Sequence, residues 1–520
     1  MNPRLLKEWR MLRTETIAGV AAATAPLLVL LLVAGPVRVV SEDMAGLLRT
    51  VAVMFFCVVV CFLAAGSFGA EFQHRTIGLL LVQPGARFRV WREKTMCLWT
   101  MAAIVGAAWL GQNAVLVWFL RSHAAAAQAG PDLPDFLLAD GDLLNAIIGF
   151  VAVVAATPFF TLSTRSTLVG AFLGLTTPFL PLAAWMAFWL VTCEISGDGS
   201  LEARMLGLAE TVFRFSTPAI SAWFCWLGWR HFRRLELQDL SPAAGASLGW
   251  PRKWGRGLGV FLVCRPHGVM GNLIRKELCL LRPLAVITAV FTLGWLAARL
   301  AATLMPREGA LGILAGLAGT FMPLAVLLAG AIPFGEEKQL GVAEWQLTLP
   351  VRVGTQWVVK LFIGGCTAAV LGFALPLGLA CLTLPESVFH RGMPDTDVLT
   401  QVAVLYWVLF VTSFWAATLL RNTIQAVLAA VLGLVAAFFC ILAAQQLATA
   451  DGGGPVREIS PWVGMVVVSI LLLMQSRRRF RTTQPSTRAF VLSAVILLAT
   501  VFVVSFCAFA LPLPQDRLLR

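Results

Sequence analysis

Charge is scarce in this chain of 520 residues: 13% are Asp, Glu, Lys or Arg, against 59% hydrophobic ones. So little polar surface cannot cover a water-soluble globule, and uninterrupted apolar runs of bilayer-spanning length recur from end to end. Histidine is rarer still. His74, His123, His231, His267 and His390 fall in separate loops, and no pair has metal-ligand or catalytic-triad spacing. No G-x-x-x-x-G-K-[ST] phosphate loop occurs, so the chain has no ATP-binding motif of that kind. The 11 cysteines are scattered, mostly inside apolar runs. Cys57 and Cys61 share a helix face with no further ligand nearby, which reads as packing, and no disulfide framework is visible. No Asp, Glu, Lys, Arg or His falls near the middle of an apolar run, where an ion-coupled carrier or proton relay would bind its ion. These absences exclude a soluble enzyme and weigh against metal chemistry. What is left is an all-α polytopic membrane protein.

The net charge of +13 would suggest nucleic acid in a soluble protein. Here its distribution matters more. Placing the loops alternately on two sides puts 29 of the 40 Lys and Arg on the side of the N-terminus. Excess Lys and Arg mark the cytoplasmic face, so the basic balance reads as topology and contact with anionic lipid, with no nucleic-acid partner. This expectation places the N-terminus inside, with Asp132, Asp198 and Asp395 outside. The first residues lack a small-residue cleavage site after a short apolar core and do not read as a cleavable signal peptide. Asp132, Asp135, Asp140 and Asp142 cluster in one outer loop, where a solvated loop is favoured over a calcium site.

The chain opens on an amphipathic stretch, 3–14, in which Leu5, Leu6, Trp9 and Leu12 share one side and Lys7, Arg10 and Arg13 the other. It is suited to lying along the membrane surface, apolar face in lipid. Six apolar runs follow at about Ile17–Gly35, Leu47–Gly69, Thr95–Leu120, Leu143–Leu162, Leu168–Cys193 and Phe215–Trp229, with Arg165 in the short turn between the fourth and fifth. Residues 1–238 thus form a first half, and 239–270 a basic linker centred on Ser241-Pro242-Ala243-Ala244-Gly245. Then the theme returns. In a second surface stretch, 272–282, Lys276, Glu277, Leu278 and Arg282 stand at the offsets of Lys7, Glu8, Trp9 and Arg13. Runs at about Pro283–Leu304, Leu311–Pro333, Leu361–Leu384, Val398–Leu420, Ile424–Ala448 and Pro461–Met474 complete a second half, 271–487. Arg421 matches Arg165 there, and Thr423 matches Thr167. In the remainder, 488–520, Phe490–Leu511 is long enough for a thirteenth span.

The strongest repeat is the polar hairpin between the second and third runs of each half. Residues 68–94 align without a gap on 334–360 with eight identities: Phe68, Gly69, Glu71, Gln73, Leu81, Pro84, Trp91 and Lys94 against Phe334, Gly335, Glu337, Gln339, Leu347, Pro350, Trp357 and Lys360. A repeat of this kind has to be settled before the fold, and it implies two homologous halves. Other matching loops have drifted in length, while this one kept its spacing, so it reads as a docking surface. Its glutamate would cap a short helix or meet a partner's basic residue, its proline would end that helix, and its lysine would snorkel to the membrane surface.

At these residues the chain resembles the type-2 permease family of ATP-binding-cassette transporters. The second copy carries the pattern as Glu337, Gly341, Leu347-Thr348-Leu349-Pro350 and Lys360; the first keeps Glu71, Pro84 and Lys94, with Arg75 where Gly341 would fall. The resemblance covers the chain as two six-span units, excepting the thirteenth run. It implies a permease in the cytoplasmic membrane that works as an exporter and is not itself an enzyme; apolar side chains lining the interface of the halves would suit a hydrophobic or amphipathic substrate. It further implies two copies of a separate ATPase, carrying ATP and magnesium, docked under the two hairpins, and no cofactor on this chain. It also implies that Glu194–Arg214 and Asp451–Ser460 partly re-enter the membrane at the outer face. The rival readings are an ion-coupled twelve-span carrier and a polytopic lipid-modifying enzyme; each requires ionisable clusters that the sequence does not display.

Overall fold

A computed structural model of the chain describes residues 6–13, most of 16–24, 42–73, 87–126, 140–164, 166–178, 199–235, 268–302, 307–339, most of 341–383, 396–434, 437, 460–480 and scattered positions from 491 to 501. Every structural statement below concerns these residues. Among them the regular structure is helical throughout, with no strand. In chain order, α1 covers 6–13, α2 Glu42–Gln73, α3 Arg87–Ala126, α4 Asp140–Thr164, α5 Thr167–Thr176, α6 Gly199–Arg234, α7 Gly268–Leu280, α8 Arg282–Ala302 and α9 Arg307–Gln339. Then come α10 Val353–Thr367, a π-helical segment Ala368–Ala374, α11 Leu375–Thr383, α12 Thr396–Leu419, α13 Thr423–Leu434 and α14 Ser460–Arg479.

Six of these helices are long and apolar enough to cross a bilayer, at Arg87–Val115, Leu144–Thr164, Arg282–Leu300, Leu317–Lys338, Val353–Thr383 and Val402–Leu419. They correspond to the third and fourth runs of the first half and the first four of the second. Val59–Phe72, Thr167–Thr176 and Thr423–Leu434 are shorter apolar helices within three more runs. The sixth runs lie inside α6 and α14. Most of the first run and of Phe490–Leu511, the hairpin from 74 to 86, Arg165, and Asp132, Asp198 and Asp395 lie outside the described residues.

Of the stretch Glu194–Arg214, residues 199–214 are the first turns of α6, which continues without a break to Arg234, and 194–198 lie outside the described residues. The stretch is rich in helix formers, and the helix runs on through Pro218 although a proline there removes one backbone hydrogen bond and crowds the carbonyl four residues back. Arg214 anchors it sideways, its Nε donating to Asn145 Oδ1 of α4 at 3.2 Å.

The described residues divide into two compact units. One contains Met1–Leu27, Ala45–Val263 and Ala289–Ala315, the other Leu28–Met44, Cys264–Thr288 and Gly316–Arg520. In the first, α4 packs along α5 and α6; in the second, α12 packs along α14. Close approach depends on glycine. A methyl on Gly69 would sit 2.6 Å from Thr167 Oγ1. In the second unit a methyl on Gly335 would sit 2.6 Å from Thr423 Cα and 2.7 Å from its N. The matched pairs Gly69–Gly335 and Thr167–Thr423 therefore mark the same helix contact in both units. Gly335→Ala should cost about 1–3 kcal/mol by overpacking against backbone that cannot yield. Gly294→Ala, with nothing within 4 Å, should be neutral or slightly stabilising. Denaturation midpoints of the two variants in one detergent check this; equal midpoints would contradict it.

Candidate functional site

The repeated glutamates and lysines meet in two ionic clusters of the same plan. In the first unit, Lys94 lies in the second turn of α3 and is 2% exposed. Its Nζ donates to Glu8 Oε2 at 2.7 Å, to Glu71 Oε1 at 3.3 Å and to the Ser67 carbonyl at 3.3 Å. In the second unit Lys360 has no exposed surface; its Nζ donates to Glu277 Oε1 at 2.8 Å, to the Pro333 carbonyl at 2.8 Å and to Glu337 Oε1. An ammonium has three protons, and in each cluster the three have three acceptors. Ser67 and Pro333, Glu71 and Glu337, and Lys94 and Lys360 are each matched at one offset. The ring of Phe68 lies 5.6 Å from Lys94 Nζ, and that of Phe334 5.2 Å from Lys360 Nζ.

Each cluster is closed from outside by a second lysine. Lys7 Nζ meets Glu71 Oε1 at 3.1 Å, and Lys276 Nζ meets Glu337 Oε1. Two ammonium groups thus balance two carboxylates, the arrangement under which buried charge is tolerated. Glu277 Oε2 is the one buried carboxylate oxygen without a hydrogen-bond partner among the described residues. Burial pushes the Glu277 carboxyl above its ordinary range; Lys360 and Lys276 oppose this, and Glu337 adds to it.

These contacts fasten each surface helix to the ends of two long helices. They come about because Glu8 and Leu12, one turn apart, form the packed side of α1, as Glu277 and Leu281 do in the second copy. That corrects the expected division of faces: Trp9 and Leu278 share the more exposed side, and Glu8 and Glu277 point inward. Arg13 and Arg282 are exposed. A second correction concerns the lysines, which do not snorkel outward. A desolvated ammonium is held more favourably by two carboxylates and a carbonyl than by a strained reach to water. Glu71 and Glu337 are likewise turned inward, 1% and 2% exposed, so neither faces a partner directly.

The conserved-spacing aromatics, left without a role above, wall both clusters. Phe68, Trp91 and Phe232 pack with ring centroids 5.0–5.9 Å apart in the first unit. In the second, Phe334 packs on Phe414 at 4.8 Å and on Phe480 at 5.3 Å, while Trp357 Nε1 donates to Ser476 Oγ at 3.1 Å.

Only the second hairpin is partly described. Gly341 has φ +69°, its N–H donates to the Lys338 carbonyl, and the Val342 N–H donates to the Glu337 carbonyl. This is a Schellman ending of α9, and it gives the glycine of the motif a conformational reason. Pro350 stands exposed in the bend before α10, and Gln356 Nε2 closes the base by donating to the carbonyls of Gln346 and Val351 at 3.3 and 3.0 Å. Arg421 is exposed in the bend after α12. Lys338 was not singled out by the sequence. Its Nζ caps the end of α12 through the carbonyls of Ala417, Thr418 and Leu420 at 3.0, 2.5 and 3.1 Å. A lysine among glutamates in a hairpin gives no sign of which distant helix it will cap. No group of three or more metal-ligating side chains occurs among the described residues. No family model, curated protein or solved structure matches the chain.

Proposed function

We propose that the chain is the permease subunit of an ATP-driven exporter, supplying both transmembrane halves, with a separate ATPase docked at each hairpin. The observation that carries this reading is the twofold occurrence of one cluster, in which surface helix, hairpin start and hairpin end are tied by Glu8–Lys94–Glu71 and Glu277–Lys360–Glu337. A partner that moved the hairpin would then move the surface helix and two long helices as one piece. The exposed positions for that contact are Gly341, Pro350 and Arg352 in the second hairpin, and the buried glutamates are positioning residues behind them. A chain with no phosphate loop needs its ATPase from elsewhere.

The substrate side has one physical pointer. Trp109 Nε1 and both polar atoms of Gln112, buried three residues apart in α3, have no hydrogen-bond partner among the described residues. Orphaned polar groups in an apolar span suit a substrate that is largely apolar and carries a hydrogen-bonding group.

The test is isolation of the tagged chain in mild detergent from its own membrane. The reading expects a phosphate-loop ATPase to accompany it at two copies per chain, and to fall to one copy when Arg352, in the second hairpin alone, is replaced by glutamate. Isolation of the chain alone, under conditions that retain its fold, would refute it.

A further inference from the structure

The two hairpins differ beneath their shared frame. At four matched positions the first copy has Ala70, Phe72, Leu80 and Val90 where the second has Glu336, Lys338, Gln346 and Gln356. Two of these four, Lys338 and Gln346, line a small cavity in the second unit, together with Phe334, Glu337, Arg479 and Phe480 among others. Its enclosed volume is about 20 Å³, and it opens to the outside. That is room for one water or for one terminal oxygen of a larger group.

The lining is asymmetric in charge and in hydrogen-bonding capacity. Gln346 is 2% exposed, and its Nε2 is a buried donor with no partner among the described residues. Lys338 contributes its charge, its protons being engaged by the end of α12. Arg479 adds a guanidinium, whose fork matches phosphate geometry. Glu337 is the one carboxylate on the wall, and Lys276 and Lys360 already compensate it. An uncommitted amide donor calls for an acceptor oxygen, and the two cations on the same wall favour an anionic one over water.

We propose that this cavity binds the phosphate of an anionic ligand, with one oxygen on Gln346 Nε2 and the rest of the group in the mouth beside Arg479. Two sources share that chemistry, a lipid headgroup at the membrane boundary and free phosphate. At the position matching Gln346 the first half has Leu80, a side chain with no donor to offer such a ligand. The ligand therefore marks one hairpin of the pair, and this goes beyond the permease reading without depending on it.

The test uses the full chain in dodecyl maltoside micelles, which carry no phosphate, and reads hydrogen exchange over residues 341–356. The additions are phosphatidic acid, oleate as an anionic lipid without phosphate, or inorganic phosphate in the buffer. Phosphatidic acid should slow exchange on the order of tenfold at saturating levels, and oleate should not. The same protection from inorganic phosphate would assign free phosphate as a ligand; protection by the lipid alone would assign the headgroup. Gln346→Leu, which installs the residue of the first copy, should abolish the protection while the chain stays folded. Gln346→Glu should abolish it too, by placing a carboxylate where the anion sits. Protection that survives both variants, or is absent with both phosphate probes, would overturn the proposal and leave a water site only.

Discussion

Lys360→Met should unfold the second unit at markedly lower denaturant than the parent chain. The substitution leaves Glu277 and Glu337, 1% and 2% exposed, facing each other with no buried cation between them. Breaking a buried pair in this way costs about 3–5 kcal/mol, because the remaining charge is uncompensated. Lys276 limits the loss without preventing it: it reaches Glu337, but 31% of its side chain is exposed and it lies 3.6 Å from Glu277. The cost should largely disappear in the triple variant Lys360→Met, Glu277→Gln, Glu337→Gln, where no buried charge remains. Lys94→Met should act in the same direction on the first unit. Denaturation midpoints in mixed micelles, followed by tryptophan fluorescence, make the comparison. A midpoint unchanged in the single variant would show that the cluster is open to water and not the buried tie described here.

Glu8→Gln with Glu277→Gln should leave the ATPase bound but uncoupled. These two glutamates belong to the surface helices and reach Lys94 and Lys360 at 2.7 and 2.8 Å. Each amide still fills the site, and each lysine keeps one carboxylate and one carbonyl, so the fold should survive. What is lost is the charged tie between surface helix and hairpin. On the permease reading, hydrolysis then continues at its basal rate while its stimulation by substrate falls on the order of tenfold, the effect of about 1.4 kcal/mol of lost coupling. Each single variant should fall between the parent and the double. Full stimulation in the folded double variant would reduce the surface helices to membrane anchors.

How these sites arise was legible in the sequence only in part. The hairpin repeat stood out because Glu71, Trp91 and Lys94 recur at one offset in Glu337, Trp357 and Lys360. Apolar runs of spanning length also marked the helices that became α2, α3, α4 and α8 to α12, since such runs are set by local composition. What no local pattern discloses is partnership across the chain. Glu8 and Lys94 are 86 residues apart, and Glu277 and Lys360 are 83 apart, because the repeat of the surface helix runs at a slightly different offset from that of the hairpin. A helical wheel assigns no partner to Glu8, which stands one turn from Leu12. Glu8 is buried because Lys94 is there to meet it, and that is a tertiary fact. The same holds for Lys338, whose acceptors are the carbonyls at the end of α12. The π-helical turn at Ala368–Ala374 has no counterpart in α3 and no sequence signature at all. Gly341 is the opposite case: glycine after a helix that ends in polar residues is a readable stop signal, and the structure shows it used as one.

The most direct test of the central reading is transport in sealed vesicles containing the chain and the ATPase that accompanies it. The account predicts substrate movement that requires ATP hydrolysis, persists when proton and sodium gradients are collapsed, and stops when the ATPase is omitted. Movement that needs an ion gradient and ignores ATP would contradict it, and would make the chain an ion-coupled carrier whose paired clusters serve structure alone.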